Sequence, residues 1–388
     1  MTLAAPSVAA SFTEDRGDDR FTIPATTSFH DKRLRTAKHG DTFAVFDAHG
    51  DAFSAAGAAE GLYHRDTRHL SHLLLTIDGA RPILLSSTVR DDDATLVFDL
   101  TNPDLHDRDG ELVALHDMIH LRRTRFLHDG GCHERLVVEN FDVVPHRTTL
   151  SLSFGADFAD LFEVRGHVRT RRGELHRPVV EAARVRLGYT GLAGRHRRTE
   201  LRFEPAPTRL DGDRATLAFD LAPGERRVVH LAILCEPPSD DEGAARLFGR
   251  TLLAQRRAQR RRAGRAVTIT TSNELFDECL RRAVGDLGVL LAETPEGPYP
   301  HAGIPWFATV FGRDGLITAL ETLWWDPSIA RGVLRHLAAL QATVFDAAAD
   351  AEPGKILHET RCGEMAELGE VPFRRYYGSI DSTPLFLM

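Results

Sequence analysis

Two stretches near the end of the 388-residue chain gather side chains able to do chemistry. One is Tyr299-Pro-His-Ala-Gly-Ile-Pro-Trp-Phe-Ala-Thr-Val-Phe-Gly-Arg-Asp-Gly315; the other is Gly354-Lys-Ile-Leu-His-Glu-Thr-Arg361, continued by Arg374-Arg-Tyr-Tyr-Gly-Ser-Ile-Asp381. Carboxylates, aromatic rings and an arginine at one mouth suit a sugar: rings cover the apolar face of a pyranose, and forked polar groups hold its hydroxyls. Asp314 and Asp381 each sit where a helical run begins, so antiparallel helix hairpins that alternate in direction would bring both to one rim. Simpler roles compete for each residue: the aspartates as helix N-caps, Trp306 and Trp324 as core aromatics, Arg313 as a surface ion partner. Caps alone give no reason for Trp, His, Arg and paired Tyr to crowd the same loops.

Other chemistries lack their patterns. His358-Glu359 would need a histidine four residues after the first to hold zinc in the metalloprotease manner, and Cys362 stands there. Neither a phosphate-binding G-x-x-x-x-G-K-[ST], a G-x-S-x-G elbow nor a dinucleotide-type G-x-G-x-x-G opening a helix occurs. Cys132, Cys235, Cys279 and Cys362 are scattered, as reduced thiols are, so no metal site or disulfide framework is expected.

The elements that must carry these loops fall into two periods. From about residue 43 to 235 the apolar period is two, with turn residues between runs, as in an antiparallel β domain. Expected hairpins join 73–77 to 82–85 across Asp78-Gly79, 119–126 to 134–141 across His128-Asp-Gly-Gly131, 180–189 to 199–203, and 215–221 to 227–234 across Ala222-Pro-Gly-Glu225. Many short strands without helices between them imply a sandwich. Residues 240–265 read as one charged helix whose arginine run is a solvated face near the C-terminus. From Ser272 the period is helical: a stripe of Leu275, Cys279, Leu280, Ala283, Val284, Leu287 and Leu291 after a Ser272 or Asn273 cap, then a helix with Leu316, Ile317, Leu320, Leu323 and Trp324. A third opens at Asp326-Pro327 and buries Ile329, Val333, Leu334, Leu337 and Leu340, and a fourth begins after Asp381. The expected domains are a flexible segment over 1–29, a β-sandwich over 30–238, a helical linker over 239–271 and a helical domain over 272–388.

Composition narrows the partners. With 42% hydrophobic and 27% charged residues the chain can bury a sizeable core, and a net charge of −8 lacks the positive field that nucleic acid requires. No apolar run approaches the roughly 20 residues that span a bilayer, and the N-terminus has no secretory pattern, so a cytoplasmic protein without a membrane partner is expected. Nothing specifies an oligomeric state.

Gly40-Asp-Thr-Phe-Ala-Val, Gly61-Leu-Tyr-His-Arg-Asp-Thr-Arg-His-Leu70 and Phe154-Gly-Ala-Asp-Phe-Ala-Asp-Leu-Phe-Glu-Val-Arg-Gly166 resemble the N-terminal domain of bacterial glycogen-debranching, amylo-alpha-1,6-glucosidase-like proteins. Gly303-Ile-Pro-Trp-Phe through Phe311-Gly-Arg-Asp314, Gly354-Lys-Ile-Leu-His-Glu359 and Tyr376-Tyr-Gly-Ser-Ile-Asp381 look like the beginning of that family's six-hairpin barrel. The resemblance implies a multidomain chain, an antiparallel β-sandwich followed by the first helices of an incomplete (α/α)6 barrel, and a truncated C-terminus. It implies inverting hydrolysis of α-1,6-glucosidic branch linkages of an α-glucan or oligosaccharide. Asp381 maps onto the general acid, and Arg313 and Asp314 onto the pair that holds hydroxyls of the terminal glucose. Trp306, His358, Glu359 and Tyr377 complete the expected substrate-binding set, with no metal and no cofactor. The general base has no counterpart here. Glu359 and Glu364 lie in the available loops, and neither is assigned to the role. The alternatives are a catalytically incomplete carbohydrate-binding fragment, or a six-hairpin α-glucosidase of glucoamylase or trehalase type. Arg65, Asp66 and Arg68 are expected to form structural ion pairs.

Overall fold

The computed structural model describes residues 34–388 except 54–57, 91–93, 107–108 and 238–241. The segment expected to be flexible, 1–29, lies outside the described residues. Strands alternating in burial, such as His72–Ile77 and His146–Gly155, build two facing antiparallel sheets. One has four strands in the order Arg209–Leu210, Arg214–Leu221, His146–Gly155, His72–Ile77. The other has nine, with Arg226–Cys235 and Gly131–Asn140 at its centre. Leu75, Leu150, Leu152 and Leu217 of the first share one apolar core with Phe98, Leu121, Val138, Leu201 and Ile233 of the second, an arrangement consistent with a β-sandwich. Each such side chain contributes about 1.5–3 kcal/mol by leaving water. A third sheet, Arg35–His39, Thr42–Phe46, Gly61–His64 and Thr67–Leu70, lies at the edge nearest the helices.

The hairpin across residues 128–131 forms in the expected register, with Asp129 and Gly130 at φ of 42° and 74°, the mirror-image turn that matches strand twist. Two expected pairings do not form. His72–Ile77 pairs with His146–Gly155, whereas Ile83–Val89 joins Thr95–Thr101 in the opposite sheet. The Asp78 carboxylate accepts from the Thr148 hydroxyl and the Thr149 amide, both at 2.7 Å, which pins the turn to the small sheet while the chain crosses over. Likewise Arg214–Leu221 and Arg226–Cys235 occupy different sheets. The buried Asn140 side chain donates to Leu221 O and Val144 O, and its backbone is bonded to Gly224 and Glu225, so this corner too is a crossing.

Helix Ala244–Ala263 packs on the outer face of the large sheet through Ala244 and Leu247 against Ala232 and Leu234. Asn273 caps Glu274–Leu290, its Oδ1 accepting from Leu275 and Phe276. The expected stripe on this helix is not uniformly covered: Leu275 is 75% exposed, while Val284 and Leu287 pack against the helical core. The chain then makes an unforeseen hairpin, Leu291–Thr294 with Gly297–Pro300, on which Pro327–Ala339 lies. Asp326 caps that helix, and Ile329, Val333 and Leu337 are fully buried, but Leu334, expected inside, is 41% exposed. In Gly312–Glu321 Leu316 is buried, whereas Ile317 and Leu320, like Leu323 and Trp324 just beyond it, stand open to solvent. No helix among the described residues is long and apolar enough to cross a membrane.

Candidate active site

Three segments are woven together to carry the candidate residues. Gly312 N–H donates to His358 O, Thr360 N–H to Val310 O, His358 N–H to Tyr376 O and Arg361 N–H to Phe373 O. Phe311 and Glu359, and Glu359 and Tyr376, face each other across isolated β-bridges. Two hydroxyls reinforce the weave, Thr309 donating to Thr360 O and Thr360 to Arg374 O. Helix Gly312–Glu321 starts from this mat, so the mat fixes where Arg313 and Asp314 stand. The approach is close: a β-carbon on Gly312 would lie 1.9 Å from Leu357 O and 3.0 Å from Ser382 Oγ. We expect Gly312→Ala to cost about 3 kcal/mol or more, as overpacking of a rigid backbone contact does. Urea unfolding measures that cost, and loss of the Arg313–Asp381 pairing should accompany it.

The helix Gly312–Glu321 packs against Ser382–Leu387, and at their joined starts Arg313 Nη1 lies 3.1 Å from Asp381 Oδ2. Asp381 occupies the N-cap position, yet its side chain makes no capping bond. It accepts instead from the Ser379 hydroxyl and from Arg313. The Ser379 hydrogen bond, only partly opposed by desolvation, and then the Arg313 charge hold the Asp381 carboxyl below its usual range. Asp314 lies in the first turn beside Arg313, near the buried Tyr299. Tyr299 donates its hydroxyl to Phe311 O at 2.9 Å, and burial together with the Asp314 charge pushes that phenol's pKa up. Gly315 is the residue that leaves room for it, since a β-carbon there would meet the phenolic oxygen at 2.4 Å.

The other candidate residues go elsewhere. Tyr377 is buried in the helical core and donates its hydroxyl to Leu340 O at 2.8 Å. Trp306 packs toward Phe43, Tyr63 and Leu161 of the β domain, with the Arg165 guanidinium 5.9 Å from its ring. His358 sits edge-on between Phe311 and Tyr376, and its Nδ1 is buried without a hydrogen-bond partner. Glu359 is ion-paired to Arg361 at 2.7 Å, while Glu364 accepts from Tyr189, Leu192 N and Arg169. Both glutamates are thus engaged in the joint between sheet and helices.

That joint is what the sequence reading missed. Arg361 Nη1 pairs with Asp66 at 3.1 Å, Cys362 N–H donates to Asp66 at 2.9 Å, and Met365 N–H donates to Asp160 at 3.0 Å. Asp66 and Asp160 come from the two glycine- and aspartate-rich segments of the β domain, linked to each other by a bond from Leu161 N–H to Asp66 O. Of the neighbouring arginines, Arg68 is paired with Asp157 and Arg65 with Asp41. Ser379 was also missed, although its place two residues before Asp381 is a local signal for a hydroxyl that steadies a carboxylate.

A family model for the N-terminal domain of (some) glycogen debranching enzymes matches residues 37–232, half of the chain. Among solved structures, a candidate kojibiose phosphorylase from human microbiome aligns with a TM-score of 0.50 at 6% identity, over 79% of this chain and 46% of that one. A bacterial glucoamylase complexed with acarbose aligns with a TM-score of 0.41 at 12% identity, over 79% of this chain and 53% of that one. The chain thus spans about half the length of each of these two proteins. The phosphorylase likeness is one of fold. None of the curated proteins compared matches the chain.

Proposed function

The chain belongs to the family of the N-terminal domain of (some) glycogen debranching enzymes, and from that membership we propose that it carries the N-terminal domain and the general-acid part of the active site of a glycoside hydrolase that cleaves α-1,6-glucosidic branch linkages of α-glucan with inversion. In this reading residues 30–238 are the β-sandwich domain, 239–271 a linker, and 272–388 the first hairpins of an (α/α)6 barrel. Asp381 is the general acid that protonates the departing glycosidic oxygen, and Arg313 and Asp314 hold hydroxyls of the terminal glucose. The carrying observation is the Arg313–Asp381 pair, which sets a forked donor and a carboxylate side by side at the start of two packed helices. Inversion needs a second carboxylate roughly 6.5–9.5 Å from the acid to activate water. Glu359 and Glu364 are poor choices for that base, because their ion pairs hold them in the joint.

One observation favours binding without hydrolysis: Asp381 is held in the ionised form, whereas an acid must carry its proton. The two readings separate by assay on branched limit dextrin, trehalose and short maltosides, with the anomer released followed by NMR. Debranching predicts glucose from the branch point as the β-anomer; glucan binding with no product on any substrate supports the binding reading. Arg313 offers a finer check. Replacing it by Gln removes a charge that lowers the Asp381 pKa, so the protonated acid persists to higher pH. The alkaline limb of kcat/KM should move upward, with a higher KM from the lost hydroxyl contact; an unmoved limb places the acid elsewhere.

A further inference from the structure

Where the edge sheet meets the nine-stranded one, two histidines and an aspartate converge. His39 ends strand Arg35–His39, His128 ends strand Ile119–His128, and Asp129 is the first residue of the turn that follows. One ligating atom from each lies within 4.8 Å of the others. Asp129 Oδ1 is 3.7 Å from His39 Nδ1, Asp129 Oδ2 is 3.3 Å from His128 Nε2, and the ring centroids are 4.5 Å apart. A zinc-sized ion with ligands at about 2.0–2.2 Å holds neighbouring donors roughly 3–3.6 Å apart, so two of the three edges already have coordination spacing or nearly so.

His39 Nδ1 accepts the Asp129 backbone N–H at 3.3 Å, so it is unprotonated, with the ring's proton on Nε2, and this long bond gives way when the same lone pair takes an ion. His128 Nδ1 is buried without a hydrogen-bond partner, and the ring's other nitrogen faces the Asp129 carboxylate. The His128 and His39 side chains are 12% and 30% exposed, the Asp129 carboxylate 78%, so an ion has a way in. His39 and Asp129 also line a cavity of about 860 Å³ between the sheets and the helices Ala244–Ala263 and Glu274–Leu290, with room for water on the remaining positions.

We propose that His39, His128 and Asp129 form a binding site for one divalent cation of the zinc type, with its open positions toward the cavity. Two imidazoles and one carboxylate favour Zn²⁺, Co²⁺ or Ni²⁺ over Mg²⁺ and Ca²⁺, which take all-oxygen shells. The bound ion fastens the edge sheet to the large sheet. The neighbouring Lys38 ammonium donates to Leu290 O at the end of helix Glu274–Leu290, so the same strand then anchors a helix as well. The site is independent of any role for Asp381. Spacing gave no hint of it, because 89 positions separate the two histidines.

The test uses chelator-stripped protein titrated with ZnCl₂ by calorimetry and with CoCl₂ by visible absorption. Wild type should take one equivalent of each, develop a cobalt d–d band, and gain about 3–5 °C in Tm at a hundredfold excess of Zn²⁺ over Kd. Asp129→Asn should weaken Zn²⁺ at least about tenfold while leaving circular dichroism unchanged, because asparagine tolerates the positive φ of this turn. The His39→Gln/His128→Gln double variant should lose the band. No wild-type binding tighter than millimolar, or one-equivalent binding unchanged in the double variant, overturns the proposal; the latter would place the ion on others of the 19 histidines.

Discussion

Under the proposed function, Asp381→Asn should lower kcat for branch-point hydrolysis about 10²–10⁴-fold, the range a positioned general acid contributes, without loss of fold. The amide has the carboxylate's shape and still accepts the Ser379 hydroxyl, but it has no acidic proton to transfer. Stability changes little, because the Arg313–Asp381 pair is substantially exposed, with side chains 49% and 33% accessible, and such pairs contribute about 0–1 kcal/mol. Asp314→Asn should behave differently, raising KM more than it lowers kcat, since a hydroxyl-holding carboxylate is not consumed in proton transfer. The resting geometry adds a constraint on pH. Ser379 and Arg313 keep the Asp381 pKa low, so in the free protein the acid is protonated only in acidic solution. Because kcat/KM reports the free enzyme and kcat the complex, the alkaline limb of kcat/KM should lie at lower pH than that of kcat. That split arises when bound glucan desolvates the carboxyl and draws Arg313 onto its hydroxyls. Coincident limbs would mean that the substrate leaves Asp381 as it finds it, and residual hydrolysis by Asp381→Asn near the wild-type rate would assign the acid to another residue.

What could be read from the chain, and what could not, divides along a physical line. Burial alternation and caps are local, so strands such as Ile119–His128 and Gly131–Asn140, the Asp129-Gly130 turn, and the Asn273 and Asp326 caps were visible in the sequence, whereas the hairpin Leu291–Thr294 with Gly297–Pro300 was not. Partner choice is not local. Residues 73–77 and 82–85 alternate correctly on either side of a turn, but Asp78 is fastened to Thr148 and Thr149, some 70 positions away, and the two strands part. Apolar faces behave the same way: Leu275 and Trp324 have helical spacing, yet spacing says only which side would be covered, and both remain open. In the candidate site, helix direction places Asp314 and Asp381 on one rim, while the ion pair that Asp381 makes runs to Arg313. Tyr377 and Trp306 looked like sugar-facing rings because composition cannot tell a ring lining a mouth from one filling a core. The joint through Asp66, Asp160 and Arg361 was illegible for a stronger reason: its ion pair spans 295 positions, and no periodicity carries information over such a distance.

Asp66→Ala should therefore have the largest structural effect of any single change at this joint. Arg361 is 2% exposed, and losing Asp66 leaves its guanidinium with Glu359 and Trp306 O alone, while Cys362 N–H loses its acceptor. Removing one partner of a buried pair costs about 3–5 kcal/mol; the retained Glu359 contact puts the expected value at the lower end. The thermal midpoint and hydrogen exchange across 359–367 both measure it, and exchange should rise there first because those amides depend on Asp66 and Asp160. Asp160 adds a pH dependence with a definite sign. Burial, opposed by the Phe162 and Met365 amides, pushes its carboxyl up to about 7. A carboxyl raised above its unfolded value near 4 makes its full contribution below that value and loses it as pH rises through about 7. The wild-type joint should be tighter at pH 5 than at pH 8. Asp160→Asn cannot accept from both amides, since one oxygen becomes an NH₂, so at pH 5 it should cost about 1–3 kcal/mol, the penalty of an unpaired buried donor. At pH 8, where the wild type must bury a charge or bind a proton, the two proteins should converge. An equal difference at both values would mean that Asp160 stays ionised throughout, held by its two amides as an ordinary capping carboxylate. The state of this aspartate reaches the candidate site through one short path, from the adjacent Leu161 to Asp66 to Arg361 to Glu359, whose backbone bridges to Phe311 at the head of the helix carrying Arg313.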